Sequence, residues 1–181
     1  DKVVLVTGGS RGLGAEVARR FASLGADIAV GYRSDAESAA RVVDDIKAQG
    51  RRAEAVSGDV AKPDEAVAKV ENTISAFGRL HVLVNAAGVA PYLPLDQIDE
   101  DHYRKVFDAN VLGTMMLTKA AAPHLPSPGG RIVHFASRLA QAPMAMTSVY
   151  SASKAAVVAF TRAISKELGP RGITVNAVAP G

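Results

Sequence analysis

Residues 2–14 read KVVLVTGGSRGLG, an apolar run that breaks into a glycine-rich turn and restarts at helical spacing. Val3, Val4, Leu5 and Val6 are apolar on both faces of an extended chain, as in an interior strand of a parallel sheet covered by helices on each side. After Thr7 come Gly8, Gly9, Gly12 and Gly14, while Leu13, Val17, Phe21 and Leu24 recur as the stripe of a helix. Glycine allows positive φ and close approach of the backbone to a ligand, and the first N–H groups of a helix have no partner inside it. The turn is therefore suited to an anion, and phosphate is the expected group. The spacing Gly8-x3-Gly12-x-Gly14 is not the common G-x-G-x-x-G, so this stretch alone equally fits an ordinary strand-turn-helix corner.

The chain on either side decides between these readings. Residues 27–31 form a second strand candidate, and Ser34 followed by Glu37 reads as a capping box that opens the next helix. Tyr32 and Arg33 then stand at the strand's carboxyl end. In a dinucleotide-binding sheet an acid there favours the free 2′-hydroxyl of NAD and an arginine the 2′-phosphate of NADP. Arg11, inside the glycine turn, is a second cation able to reach the same phosphate. Singly each arginine reads as a solvated side chain; together they favour NADP(H) over NAD(H).

Residues 53–57 are strand three, followed by Asp59, Val60 and a helix that starts near Pro63, buries Val67, Val70, Ile74 and Phe77, and ends at Gly78. Asp59 either accepts from an adenine amino group or satisfies backbone N–H groups of its own loop. Residues 80–84 are strand four, running into Asn85, Ala86, Ala87 and Gly88, small enough to admit a flat ligand and equally suited to a tight turn. Residues 101–121 read as one long helix containing Asn110, an amide that either faces solvent or must find partners. Residues 130–135 are strand five with Ser137 and Arg138 beyond it, Tyr150 and Lys154 open the next helix, and residues 173–178 are strand six. This alternation predicts an α/β doubly wound parallel sheet in three layers, with ligands at the carboxyl ends of the strands.

With 181 residues, 48% hydrophobic and 22% charged, the chain suits one domain spanning residues 1–181. Its 21 basic and 18 acidic residues are interspersed, which argues against nucleic acid as a partner. No apolar run approaches the ~20 residues that span a bilayer, and no charged-then-apolar leader opens the sequence, so a cytoplasmic protein without a membrane partner is expected. There is no cysteine, and the four histidines, His81, His102, His124 and His134, lack ligand spacing, so no protein-bound metal is expected.

Thr7-Gly8-x3-Gly12-x-Gly14, Asp59, Asn85-Ala86-Ala87-Gly88, Asn110, Ser137, Tyr150-x3-Lys154, Asn176 and Pro180-Gly181, in this order, make the chain resemble the short-chain dehydrogenase/reductase family, compact branch. The core is most similar to the 3-oxoacyl-[acyl-carrier-protein] reductase-like group. Asn-Ala-Ala-Gly stands where the family commonly has Asn-Asn-Ala-Gly. The resemblance implies a Rossmann fold with six strands present; the family's mobile substrate loop, further helix and seventh strand lie beyond the Pro-Gly motif that ends this sequence. It implies a cofactor site of Thr7, Gly8, Ser10, Arg11, Gly12, Leu13, Gly14, Tyr32, Arg33, Ser34, Asp59, Val60, Asn85, Ala86, Ala87, Gly88, Tyr150, Lys154, Pro180 and Gly181.

Tyr150 and Lys154 lie four apart on a helix and project from one face. A free phenol loses its proton near pH 10, so proton exchange near neutrality needs about 4 kcal/mol of help. An ammonium about 4 Å away at an effective dielectric near 20 supplies about that much. By the resemblance, Tyr150 exchanges a proton with a carbonyl or alcohol oxygen as hydride passes to or from the nicotinamide. Ser137 holds the same oxygen, Lys154 also holds the nicotinamide ribose, and Asn110 holds a water that relays protons from Lys154. Without the resemblance, Tyr150 and Lys154 read as an exposed helix pair and Ser137 as a turn residue.

Substrate is expected to meet residues 89–95 and 138–148, the second with an apolar wall of Leu139, Ala142, Pro143, Met144 and Met146. A small-molecule ketone, secondary alcohol or acyl-thioester fits this description. Gly113, Ala120, Ala121, Ala152, Ala155, Ala156 and Ala159 permit close helix approach, and the resemblance implies a homodimer or homotetramer built on these helices.

Overall fold

A computed structural model describes residues 2–181. The strands are β1 (Val3–Thr7), β2 (Asp27–Gly31), β3 (Ala53–Val56), β4 (Val82–Asn85), β5 (Arg131–Phe135) and β6 (Thr174–Val178). All pair in parallel, in the order β3-β2-β1-β4-β5-β6. The helices are α1 (Gly12–Ser23), α2 (Ala36–Ala48), α3 (Pro63–Phe77), α4 (Glu100–Phe107), α5 (Gly113–Ala121) and α6 (Ser148–Leu168). Successive crossovers move outward from β1 on one side and from β4 on the other. The two strands at the centre are therefore the switch point, where connections leave in opposite directions and a crevice opens at their carboxyl ends.

The interior position of β1 follows from its alternation. Val3 and Leu5 pack with α3 and α5 through Ala66, Val70, Phe77, Leu117 and Ala121, while Val4 and Val6 pack with α1 and α2 through Ala18, Ala22, Val42 and Ile46. All five β1 residues, Thr7 included, are fully buried. Helix α1 differs from the expected stripe. Gly14, Ala15, Ala18 and Ala22 face the sheet, and Leu13 and Leu24 are exposed. Small residues let the helix approach the strands closely, and a Cβ on Gly14 would collide with the carbonyl oxygen of Gly8.

Three other expectations shift. The cap of α2 is Asp35, whose carboxylate accepts from Ser38 N at 2.9 Å; Ser34 is exposed, and Glu37 pairs with Arg41 and does not reach back to it. A carboxylate at this place also meets the positive end of the helix dipole. Strand β4 begins two residues later than expected and includes Asn85. The expected long helix is α4 and α5 joined by a π-helical turn, Asp108–Leu112, that contains Asn110. Such a turn leaves main-chain groups free of the regular ladder; Thr114 Oγ1 donates to the Asn110 carbonyl at 2.8 Å.

Gly113 serves the interior of this chain and not a helix from another subunit: a Cβ there would sit 2.6 Å from the Val60 carbonyl oxygen. Gly113→Ala should therefore destabilise the fold by about 1–3 kcal/mol, read as a lower urea midpoint at unchanged slope. An unshifted midpoint would contradict this packing.

Candidate active site

A cleft of about 400 Å³ follows the switch point. One wall is the glycine turn, with Gly8, Ser10, Arg11, Gly12, Leu13 and Gly14; the outer end is Tyr32, Arg33, Ser34, Asp59 and Val60; the opposite wall is Ala86, Ala87 and Gly88. The cleft continues, through the shared residues Leu13, Ala86, Gly88, Val89 and Phe135, into a second hollow lined by Ser137, Tyr150, Lys154 and Pro180. Residues from the ends of all six strands thus meet along one groove.

The glycine turn is shaped by backbone against backbone. Gly8 has φ +66°, and a Cβ there would lie 2.9 Å from the main chain of Ala87. Thr7 fixes this approach from below: its Oγ1 donates to Val84 O and accepts from Ala87 N at 3.2 Å. Thr7 and Asn85 line neither hollow; both are buried beneath the groove, and Asn85 Nδ2 donates to Thr118 Oγ1. Asp59 accepts from Ala61 N at 3.0 Å, so one carboxylate oxygen serves its own loop while the residue also lines the cleft. Arg11 and Arg33 are exposed in the cleft, and their side chains form no ion pair or hydrogen bond with another described residue.

At the inner end, Lys154 is 6% exposed, and its Nζ donates to the Phe135 carbonyl at 2.7 Å. Burial pushes its pKa down to about 8. The ammonium lies 5.9 Å from the centre of the Tyr150 ring. Tyr150 is half-buried, with the Tyr92 ring 6.0 Å away. Ser137 is buried, and its hydroxyl oxygen accepts from Leu139 N at 3.2 Å, which leaves the hydroxyl proton for a ligand. The turn role and the site role of Ser137 therefore coexist.

Asn110 is 1% exposed, so of the two readings of this amide the one with protein partners holds. Its Oδ1 accepts from Val89 N at 2.8 Å, and its Nδ2 donates to Val89 O and Ser153 Oγ, each at 3.0 Å. Both amide protons are donated to protein groups, so the side chain's clearest action is to clamp Val89 at the waist of the groove. A Cβ on Gly88 would approach both Asn110 Oδ1, at 2.9 Å, and Lys154 Nζ, at 3.5 Å. Gly181 lies beside Arg138, outside both hollows, while Arg138 N bonds the Pro180 carbonyl.

Sequence reading missed Lys69, Gly31, Asp35, Gly58, Ala109 and Phe135 along the groove, while Val89, expected on the substrate side, lines both hollows. For Lys69 a signal existed. Ala66, Val70, Thr73 and Phe77 make the buried face of α3, and Lys69 falls on that face by helical spacing.

The chain belongs to the short chain dehydrogenase family, whose sequence pattern matches residues 2–181, and is thereby an oxidoreductase that works between a carbonyl and an alcohol. It is 42% identical over 180 residues to an uncharacterized oxidoreductase of Methylorubrum extorquens, covering 99% of this chain and 72% of that protein. It is 39% identical over 181 residues to a 3-oxoacyl-[acyl-carrier-protein] reductase of Synechocystis, covering 99% and 73%. Among solved structures, a short chain dehydrogenase from Burkholderia cenocepacia in complex with NADP superposes with a TM-score of 0.97 at 46% identity, covering 99% of this chain and 74% of that one. The chain thus spans about three quarters of the length of these relatives.

The low pKa of Lys154 carries a stability consequence in the unliganded protein. The unfolded lysine keeps its proton up to about 10.5 and the folded one only up to about 8, so the unfolded state binds more protons between these values. Wild type should therefore gain stability relative to Lys154→Met as pH rises from 8 to 10.5, by at most about 3 kcal/mol. Urea unfolding of both proteins at several pH values measures this, and a relative loss with rising pH would refute the desolvated ammonium.

Proposed function

We propose that the protein is an NADP(H)-dependent reductase of ketones, with 3-oxoacyl thioesters among the candidate substrates. The observation that carries this reading is the single groove with Arg11 and Arg33 at one end and Ser137, Tyr150 and Lys154 at the other. Arg11 and Arg33 would hold the adenosine 2′-phosphate of a dinucleotide in this groove, with Tyr150 and Lys154 at its nicotinamide end. The N-terminus of α1 and the backbone N–H groups of the glycine turn receive the pyrophosphate between them. Ala86, Ala87 and Gly88 leave space for the flat parts of the ligand. The NADP complex of the Burkholderia relative supports the choice of cofactor.

The bound nicotinamide supplies a hydride to the carbonyl carbon in reduction and accepts one in oxidation. Ser137 Oγ donates to the carbonyl oxygen and stabilises the charge that develops there. Tyr150 delivers its hydroxyl proton to the same oxygen, so the ketone gains hydride at carbon and proton at oxygen and leaves as the secondary alcohol. The phenolate that remains is stabilised through space by the Lys154 ammonium, held in place by the Phe135 carbonyl. Asn110 is a positioning residue that fixes Val89 beside the reacting atoms. Exposed Tyr92, Met144 and Met146 supply an apolar rim, which favours a substrate with a hydrophobic body.

The protein is proposed to act in the cytoplasm as a homodimer or homotetramer. Ala152, Ala155 and Ala159 are exposed along α6 and offer a smooth surface to a second copy, whereas Ala121 belongs to the core. No helix among the described residues is long and apolar enough to cross a membrane.

NADPH oxidation against a panel of apolar ketones and acyl-thioester ketones tests the reading. Tyr150→Phe should lower kcat by about 10²–10⁴ while NADPH still binds, as followed by cofactor fluorescence. Near-normal turnover by that variant would remove Tyr150 from the chemistry. Arg33→Asp should move the preference from NADPH toward NADH, and an unchanged preference would remove the arginine from the cofactor site.

A further inference from the structure

A second buried lysine lies at the opposite end of the groove from Tyr150. Lys69 is 1% exposed, and its ammonium donates to the Tyr32 carbonyl at 3.0 Å and to the Val56 carbonyl at 2.9 Å. These carbonyls close the carboxyl ends of β2 and β3, and Lys69 itself lines the cleft there. Gly31 and Gly58 make the space: a Cβ on Gly31 would lie 3.3 Å from Lys69 Cδ, and one on Gly58 3.5 Å from Lys69 Nζ. An ammonium has three protons to donate, and no described residue takes the third.

Burial of an ammonium opposes folding unless something offsets it, and a methionine would fill this volume without a charge. The ionisable groups acting on Lys69 are Glu65, on its own helix, and Asp59, on the loop after β3. Glu65 is already engaged by Lys62 and by Asp59 N, and Asp59 by Ala61 N. Across the cleft stand Arg11, Arg33 and Asp35, and the Asp35 carboxylate caps Ser38. No carboxylate among the described residues forms an ion pair with Lys69, so its charge is left to act on whatever occupies the cleft.

We infer that Lys69 is a cofactor-selecting residue, a fixed positive charge beneath the adenosine end of the groove that adds to Arg11 and Arg33 in favouring a 2′-phosphate over a 2′-hydroxyl. The inference rests on the NADP reading above. It differs from that reading in mechanism. The arginines are exposed and screened by salt, whereas a charge 1% exposed is screened far less. Burial holds the pKa of Lys69 at about 8, so this contribution is present at neutral pH and declines as pH rises above that value.

The experiment measures Kd for NADPH and for NADH by cofactor fluorescence in wild type, Lys69→Met and Lys69→Gln, at pH 7 and pH 9. Glutamine retains two N–H groups for the Tyr32 and Val56 carbonyls and lacks the charge. Both variants should bind NADPH about tenfold more weakly with NADH changed by less than about twofold, and the wild-type preference should shrink at pH 9 while that of the variants stays level. Circular dichroism and thermal melts verify that both fold. A wild-type NADPH preference retained by Lys69→Gln, or parallel losses for both cofactors, would overturn the role of the charge and leave a structural clip between β2 and β3. A wild type with no preference for NADPH would overturn the cofactor reading itself, and this inference with it.

Discussion

No side chain fits between the turn after β1 and the turn after β4. Gly8 faces the main chain of Ala87, and Gly14 lies against the carbonyl of Gly8, so backbone packs directly on backbone. The shape of the groove depends on this contact. It brings α1 close enough to the sheet that alanines fill the interface, and it turns the first N–H groups of α1 toward the groove. It also places Val89 where Asn110 can clamp it from the π-helical turn. Thr7 maintains the approach by bonding to both Val84 and Ala87 across the switch point.

The two ends of the groove use the same physical device for different tasks. Lys154 and Lys69 are both buried, both held by main-chain carbonyls at strand ends, and both lowered to a pKa of about 8 by desolvation. Carbonyls satisfy the N–H groups without cancelling the charge, as a carboxylate partner would. Each ammonium therefore projects its field into the groove, toward the phenol at one end and toward the adenosine at the other. The parallel sheet supplies these carbonyls naturally, because its carboxyl edge is where the hydrogen-bonding ladder runs out.

Much of this was legible in sequence because strand and turn signals are local. The all-apolar β1, the glycine turn, Pro63 at the start of α3 and Gly78 at its end each declare themselves within a few residues, and six parallel strands are found where the alternation placed them. Where the reading failed or left alternatives open, the deciding contact was distant. Asn110 could be solvated or partnered by its sequence, and it is buried because Val89, 21 positions away, supplies main-chain partners that no local pattern reveals. Leu13 and Leu24 are exposed because close packing of α1 puts Gly14, Ala15, Ala18 and Ala22 at the centre of the interface, with Val17 and Phe21 only partly buried at its side. Lys69 was passed over because its partners lie on β2 and β3, and a lysine inside an apolar stripe reads as an interruption of it. Thr7 and Asn85 carry family signatures, yet they support the groove from beneath and do not line it.

The most direct test is a crystal structure of the protein with NADP⁺. One dinucleotide should lie along the switch-point groove, its 2′-phosphate between Arg11 and Arg33, its pyrophosphate on the glycine turn and its nicotinamide beside Tyr150 and Lys154. A dinucleotide bound in the reverse direction, or outside this groove, would contradict the assignment of both ends of the site.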